Sequence, residues 1–498
     1  MSKKQGFNPY LPAYEYIPDG EPHVFGDRVY IYGSHDRFGG DKFCMNDYIC
    51  YSADVKDLKE WRYEGVIYPR TADPDNAAGE YYLWAPDVVR GPDGRYYLYY
   101  CLNHEPQLRV AVCDSPAGEY QYLGVVRYQD GTPLGEREGD YKQFDPGAFI
   151  DEDGTIYIYS GMGYSMMDRH LVWDRDPIKY SHVLTLEKDM LTVKGEPKKL
   201  IPSILDSEGT GFEGHEFFEA SSVKKINGRY YFVYSSKESL ELCYCVSDKP
   251  DEGFVYGGTI ISLGDVFLDG REREDALNFW GNIHGGMECI DGQWYIFYHR
   301  HTNRTQYSRQ ACAEKIEILA DGSIPQVEMT SCGLNGEPLH GKGTYEARIA
   351  CNLMGKSGAT VSRLKDQTEE YPYFTQNGAD QSPRDGEPYP VQYIADMSDG
   401  CVAGFKYFDL QDVKEIRVKV RANDPQGAKG YMVVSTALRG EACGKIFIHL
   451  DGQQKDCGQE AHSWQEFSGS LDIPDGVSAL YLEYQGEGKL DFVSFTLW

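Results

Sequence analysis

Asp19, Asp87, Asp145, Glu219 and His284 each precede, by 10 to 12 residues, a tyrosine that itself follows a tight-turn dipeptide. Four carboxylates and an imidazole at a common offset are groups that move protons. Two carboxyl groups flanking a bond, one protonated and one ionised, are what cleavage of a glycosidic linkage requires. A third carboxylate nearby drives the pKa values apart, because like charges disfavour joint ionisation. Glutamate, with its longer reach, suits the general acid, and a shorter aspartate facing it suits the base. Each residue also has an ordinary reading. Asp19 lies in Pro-Asp-Gly and Asp145 in Phe-Asp-Pro-Gly, both turn-forming sequences. Asp87 suits a bond to neighbouring backbone, and a lone histidine such as His284 is commonly a satisfied core residue. Glu219, within FFEASSV, is the costliest to bury without a partner. The shared offset separates these five from background.

The elements that must position them are five copies of one hairpin. They read GDRVYIYGS from Gly26, DGRYYLYYC from Asp93, DGTIYIYSG from Asp153, NGRYYFVYSS from Asn227 and DGQWYIFYHR from Asp291. Asp-Gly and Asn-Gly suit two-residue hairpin loops, whose central positions need positive φ. The marker tyrosines Tyr30, Tyr97, Tyr157, Tyr231 and Tyr295 stand 60 to 74 residues apart, the length of a four-stranded blade. Five such repeats predict a five-bladed β-propeller over residues 1–325. The strand before each hairpin then lines the central channel and points a polar group at the axis.

The composition shifts after Asp321, and residues 326–344 read as a Gly-, Ser- and polar-rich linker. Beyond it, short alternating strands such as EIRVKVRA, GYMVVSTA and LDFVSFTLW predict a β-sandwich of jelly-roll type over residues 345–498. The fold class is therefore all-β. A net charge of −29 repels phosphate backbones and anionic membranes, which argues against nucleic-acid or membrane partners. The oligomeric state is not legible. No apolar stretch follows Lys3 and Lys4, so the N-terminus does not read as a secretory signal. Thirteen cysteines, an odd number without zinc-type spacing, read as free thiols and point to a cytoplasmic location. Cys243 and Cys245 read as packing, His299 and His301 as rim residues, and Trp464 and Trp498 as buried packing.

WAPDVV, FDPGAFIDEDGTIYIYSG, FFEASSVKKINGRYYFVYSS and HGGMECIDGQWYIFYHR resemble the blade motifs of glycoside hydrolase family 43. NPYLPAYEYIPDGEP resembles its branch of arabinoxylan arabinofuranohydrolases, and the likeness runs over residues 7–325. The resemblance implies Asp19 as general base, Asp145 as pKa modulator, Glu219 as general acid, and inversion at the anomeric carbon. It further implies Arg300 and Trp84 against the sugar in the deepest subsite. His284 would stand at the axis, holding a water or a structural calcium; no cofactor is required. Glu21 is a rival to Asp19, since this chain has Pro-Asp-Gly-Glu-Pro where the family commonly has Ala-Asp-Pro-Ser; Glu213 and Glu216 are rivals to Glu219. SWQEFSGSLDIPDGVSALYLEY resembles a family 6 carbohydrate-binding module without its clearly placed sugar-gripping residues. That implies a mainly structural domain, one that supplies a loop to the active-site rim. The activity implied is exo-acting release of terminal α-L-arabinofuranosyl units from hemicellulose oligosaccharides, with β-D-xylosidase and a non-catalytic sugar-binding propeller as alternatives.

Overall fold

The computed structural model describes residues 4–103, 105–164, 178–362, 371–380, 389–452 and 463–498. The fold is all-β, and among the described residues no helix is long and apolar enough to cross a membrane. Five small antiparallel sheets follow one another in chain order, four of four strands and the fifth of three. Each marker tyrosine lies buried on the second strand of its sheet. Every hairpin folds where its turn residues permit. Asn227–Gly228 and Asp291–Gly292 have positive φ at both positions, and Gly26 supplies it before Asp27. The other two hairpins are looser than the dipeptide suggests, because five residues separate Arg90 from Tyr96 and Ile150 from Ile156.

The first strands of these sheets, Glu21–Phe25, Asp87–Arg90, Gly147–Ile150, Phe217–Ile226 and Met287–Ile290, touch in succession. The last also touches the first. Between neighbouring sheets the aromatic strands interdigitate; Tyr32, Tyr48, Tyr68 and Tyr100, for instance, form one apolar cluster. Tyrosine serves here because its ring covers the sheet while its hydroxyl reaches a backbone or carboxylate acceptor, as Tyr100 does with Asp73 at 2.5 Å.

Two six-stranded sheets follow and enclose one core that includes Phe374, Phe405, Leu480 and Phe492. Strands already begin inside the stretch expected to be a linker. Leu339–His340 pairs with Val402–Leu410, and Gly343–Glu346 with Leu490–Leu497. The segment before them is bound to both halves. Val327 N–H donates to Ile260 O at 2.8 Å, and Lys406, from the C-terminal sheets, reaches Asp265 and Glu328 at 3.2 and 2.8 Å. Trp464 is half-buried against Tyr393. Trp498, expected to be buried, is 42% exposed beneath the Arg417 guanidinium, because it lies just past the end of the final strand, Leu490–Leu497.

Candidate active site

Strand register decides which side chains reach a common pit. The residues opposite the marker tyrosines are His23, Val89, Phe149, Lys224 and Glu288. Side chains alternate faces with period two, so positions two and four residues earlier point the same way. Two earlier stand Glu21, Asp87, Gly147, Ser222 and Gly286. Four earlier stand Asp19, Ala85, Asp145, Ala220 and His284, except that a bulge between Glu219 and Ser222 sets Glu219 opposite Ser235 in place of Ala220. The second group lines one pit: Asp19, Ala85, Asp145, Glu219 and His284, with Trp84, Phe43, Asn282 and Arg309 around them. Asp87 does not belong to it. Ala85 stands four residues before Val89, at the pit position, whereas Asp87 stands two before it, level with Glu21.

All three expected catalytic carboxylates are thus brought together, each on unusual backbone. Asp19 and Asp145 have φ of 58° and 44°, and Ala220, next to Glu219, has 68°. Such left-handed conformations in non-glycine residues cost about 1–3 kcal/mol each and persist where surrounding structure imposes them. Asp145 Oδ2 accepts the Ala220 N–H at 3.3 Å, tying two of the three strained points together.

The three environments differ. Burial pushes the Asp19 carboxyl up, but Arg309, His299 and His284 outweigh it and hold the group below its ordinary value. Arg309 Nη1 donates to Asp19 Oδ1 at 2.9 Å, while its Nε and Nη2 clamp Asp36 at 2.8 and 3.0 Å. Asp145 is raised, chiefly by burial, although His284 Nδ1 lies 3.3 Å from its Oδ2. His284 shifts the opposite way to burial alone: Asp145, Asp19 and Glu21 together push it up to about 9. Glu219 is buried in the pit wall beside Phe218.

The rivals sit elsewhere. Glu21 does not line the pit; burial and the nearby Asp87 push it up to about 8, so it is neutral where a base must be ionised. Glu216 is held by Lys237 at 2.9 Å and Ser207 at 3.0 Å, and Glu213 is exposed.

Trp84 lines the pit, its ring edge-on to Phe144 at 4.9 Å. Arg300 requires a correction. Its guanidinium points away from the pit, donating to Ala350 O at 3.1 Å and Gln310 Oε1 at 3.0 Å over the Phe374 ring. Alternation along Gln293–Thr302 explains it: His299 and His301 face inward, so Arg300 faces outward. The inward arginine is Arg309, opposite His301 on the next strand. It went unread because nothing in YSRQACAEK marks the register.

His299 and His301 are likewise not rim residues. Both are buried, and both rings donate through Nε2 to Asn282 O, at 2.9 and 2.8 Å. That fixes the His299 tautomer and leaves Nδ1 to accept the Asp19 N–H at 3.3 Å.

Glu21 Oε1 has no hydrogen-bond partner among the described residues and lies 3.9 Å from His284 Nε2. A water between them would satisfy both, accepting from His284 and donating to Glu21.

The family described as Glycosyl hydrolases family 43 matches residues 18–324. A xylosidase/arabinosidase of Thermoclostridium stercorarium is 51% identical over 498 residues, covering 99% of each chain. A xylosidase/arabinosidase of Bacteroides ovatus is 32% identical over 346 residues, 64% of this chain and 97% of its own. Among solved structures, a β-xylosidase/α-arabinofuranosidase from a compost microbial metagenome, in complex with xylotriose in a calcium-free form, aligns with a TM-score of 0.50. It is 25% identical and covers 65% of this chain and 98% of its own.

Proposed function

The chain belongs to glycosyl hydrolases family 43 and is a glycoside hydrolase with arabinofuranosidase or xylosidase activity; from that premise we propose an exo-acting, inverting enzyme that releases terminal α-L-arabinofuranosyl units from hemicellulose-derived oligosaccharides. The observation that carries the reading is the pit itself, where three carboxylates meet in three different environments. In this reading Asp19, kept ionised by Arg309, takes a proton from the attacking water. Glu219 gives one to the leaving oxygen. Asp145, beside His284 and accepting the Ala220 N–H next to Glu219, is the modulator that orients the acid. Trp84 and Phe43 present apolar walls to the sugar faces. β-D-xylosidase is the second reading, favoured by the paired name of the Thermoclostridium stercorarium relative.

The cycle of first strands supports a closed five-bladed β-propeller ending near residue 325, followed by a jelly-roll sandwich. A family 6-like origin for that sandwich and a cytoplasmic location belong to the same proposal; the free thiols of the described cysteines support the second. A structural calcium held by His284 Nε2 and Glu21 Oε1 belongs to the same proposal; it would displace the protons these two groups otherwise hold and supply fixed positive charge beside the pit. Calorimetric titration of the chelated protein tests it, and no calcium-dependent heat would overturn that part.

Hydrolysis of aryl α-L-arabinofuranoside and aryl β-D-xyloside tests the main reading. Preference for the first supports it, and preference for the second exchanges the sugar. Inactivity on both by folded protein overturns it. Proton NMR of the first-formed anomer should show inversion, and retention would refute that element.

A further inference from the structure

Cys243 keeps different company from Cys245, its neighbour on one face of the strand Glu241–Ser247. Cys245 is packing, as its spacing predicts: it is wholly buried, and its sulfur reaches the Phe232 carbonyl at 3.7 Å. Cys243 Sγ, equally buried, is ringed by polar side-chain atoms. His215 Nδ1 and Thr259 Oγ1 each lie 3.9 Å away and Tyr256 Oη 4.0 Å. A thiol has one weak proton to donate and cannot serve all three. Glu241, two residues earlier, adds a carboxylate. One ligand atom from each of His215, Glu241 and Cys243 falls within 4.8 Å of the others.

Imidazole, carboxylate and thiolate are the three ligand types that zinc takes. Tetrahedral coordination with ordinary bond lengths sets nitrogen and sulfur about 3.6 Å apart, and nitrogen and oxygen about 3.4 Å apart. The His215–Cys243 separation of 3.9 Å is already near that edge. His215 Nδ1 and Glu241 Oε1 stand 2.7 Å apart, joined by a proton. An ion taking that proton's place would part them by about 0.7 Å. The His215 side chain is 31% exposed, which gives an ion a way in and leaves room for water as a fourth ligand. Calcium, which takes oxygen ligands, does not suit a site with nitrogen and sulfur.

The ligands are braced from behind. Ser236 Oγ and Thr259 Oγ1 donate to the two oxygens of Glu241, both at 2.6 Å. The His215 ring stacks on Tyr256, with centroids 4.8 Å apart and planes 10° from parallel. Lys237, whose ammonium would repel a cation, is paired with Glu216 at 2.9 Å. A satisfied buried carboxylate would account for the serine, the threonine and the histidine. It leaves the thiol among polar atoms without a reason.

We propose that His215, Glu241 and Cys243 bind a zinc ion, with water completing its coordination, and that the ion pins the start of the strand bearing Glu219. His215 stands two residues before that strand, Phe217–Ile226, and the other two ligands come from the third strand of the same sheet. On binding, the Cys243 thiol proton and the proton shared by His215 and Glu241 pass to solvent, and bonds to the metal replace them. The site is independent of the sugar that the pit accepts.

Cobalt(II) reports such a site, because it takes the same ligands and shows thiolate-to-metal charge-transfer absorption in the near ultraviolet. The full chain, reduced and stripped with chelator, is titrated with cobalt and then with zinc, with circular dichroism as the control for folding. Wild type should bind one equivalent with that absorption, which zinc should abolish and calcium should not. Cys243→Ser should lack it. His215→Gln should weaken cobalt at least tenfold, and Thr259→Val, which removes a hydrogen bond behind Glu241, about tenfold. No charge-transfer absorption in wild type would overturn the site. So would absorption of unchanged affinity in Cys243→Ser and His215→Gln, since other thiols would then be the ligands. With zinc at about ten times its dissociation constant, amide hydrogen exchange over residues 215–222 should slow about tenfold in wild type and not in His215→Gln. Exchange there that zinc leaves unchanged would overturn the pinning.

Discussion

Replacing Arg309 by lysine keeps a positive charge near Asp19 but removes the fork that binds two carboxylates at once. In the native site three of its nitrogens reach Asp19 and Asp36, all three side chains buried. A lysine ammonium cannot span both acceptors, and the Asp36 pair, being bidentate, is the stronger competitor for it. Asp19 then loses its main counter-charge while staying buried. An adjacent opposite charge lowers a carboxyl pKa by about 1–3 units, so its partial loss should raise Asp19 by about 1–2 units. Because native Asp19 titrates below its ordinary value, the wild-type acid limb of kcat/KM lies low, under about pH 3.9 where Asp19 governs it. The variant limb should move upward by about that 1–2 units, with a loss of about tenfold or more at neutral pH from misplacement of the base. The sign for stability agrees. A depressed carboxyl contributes stability above its unfolded pKa and loses it as pH falls through the folded one, so Arg309→Lys should lose the Asp19 share of acid tolerance. The assay is kcat/KM against pH with an aryl glycoside, with circular dichroism as the control for folding. Acid limbs coinciding within about 0.3 pH unit in folded variant and wild type would refute the coupling.

Three further outcomes follow from the same geometry. Glu21→Gln in chelator should gain stability relative to wild type as pH rises from about 4.3 towards 8, because a raised carboxyl contributes fully below its unfolded pKa and loses that as pH climbs through its folded value; urea midpoints that track wild type across that range would contradict it. His284, pushed up to about 9, should by the same rule cost stability between about pH 6.5 and 9, and His284→Gln should flatten that decline in thermal scans. Lys406→Met strands the buried Asp265 carboxylate between the two halves and should cost about 3–5 kcal/mol in urea unfolding, whereas a loss under about 1 kcal/mol would show the halves to be held by other contacts.

Much of the site was legible because its punctuation is chemical. Gly26, Asn227–Gly228 and Asp291–Gly292 turn where only such residues turn cheaply, and the tyrosines behind them mark equivalent strands. What failed to read was register, since a single residue reverses a strand's faces. Asp87 was read as the pit residue at an offset of 10 from Tyr97, but strand pairing puts the pit position at Ala85, 12 residues before that tyrosine. Arg300 was placed at the pit, and Arg309 overlooked there, for a related reason. Their strands are joined by a turn through Asn303 and Arg304, whose left-handed backbone is imposed by Phe374, Tyr371 and Asp396, distant in sequence. The bulge that advances Glu219 past Ala220 is equally silent, although Glu219 itself stood out as an acid among apolar neighbours. The linker expectation missed the strands Leu339–His340 and Gly343–Glu346, two and four residues long, too short to show a period.

The central claim is that Glu219 and Asp19 act on opposite sides of one bond, as acid and base. Leaving-group dependence separates these roles. Glu219→Gln should lose about 10³-fold on an oligosaccharide, which needs its leaving oxygen protonated, yet keep most activity on a dinitrophenyl glycoside, which does not. Asp19→Asn should lose about 10³-fold on both, since water must be activated in either case. Equal losses of the two variants on both substrates, in folded protein, would contradict the assignment.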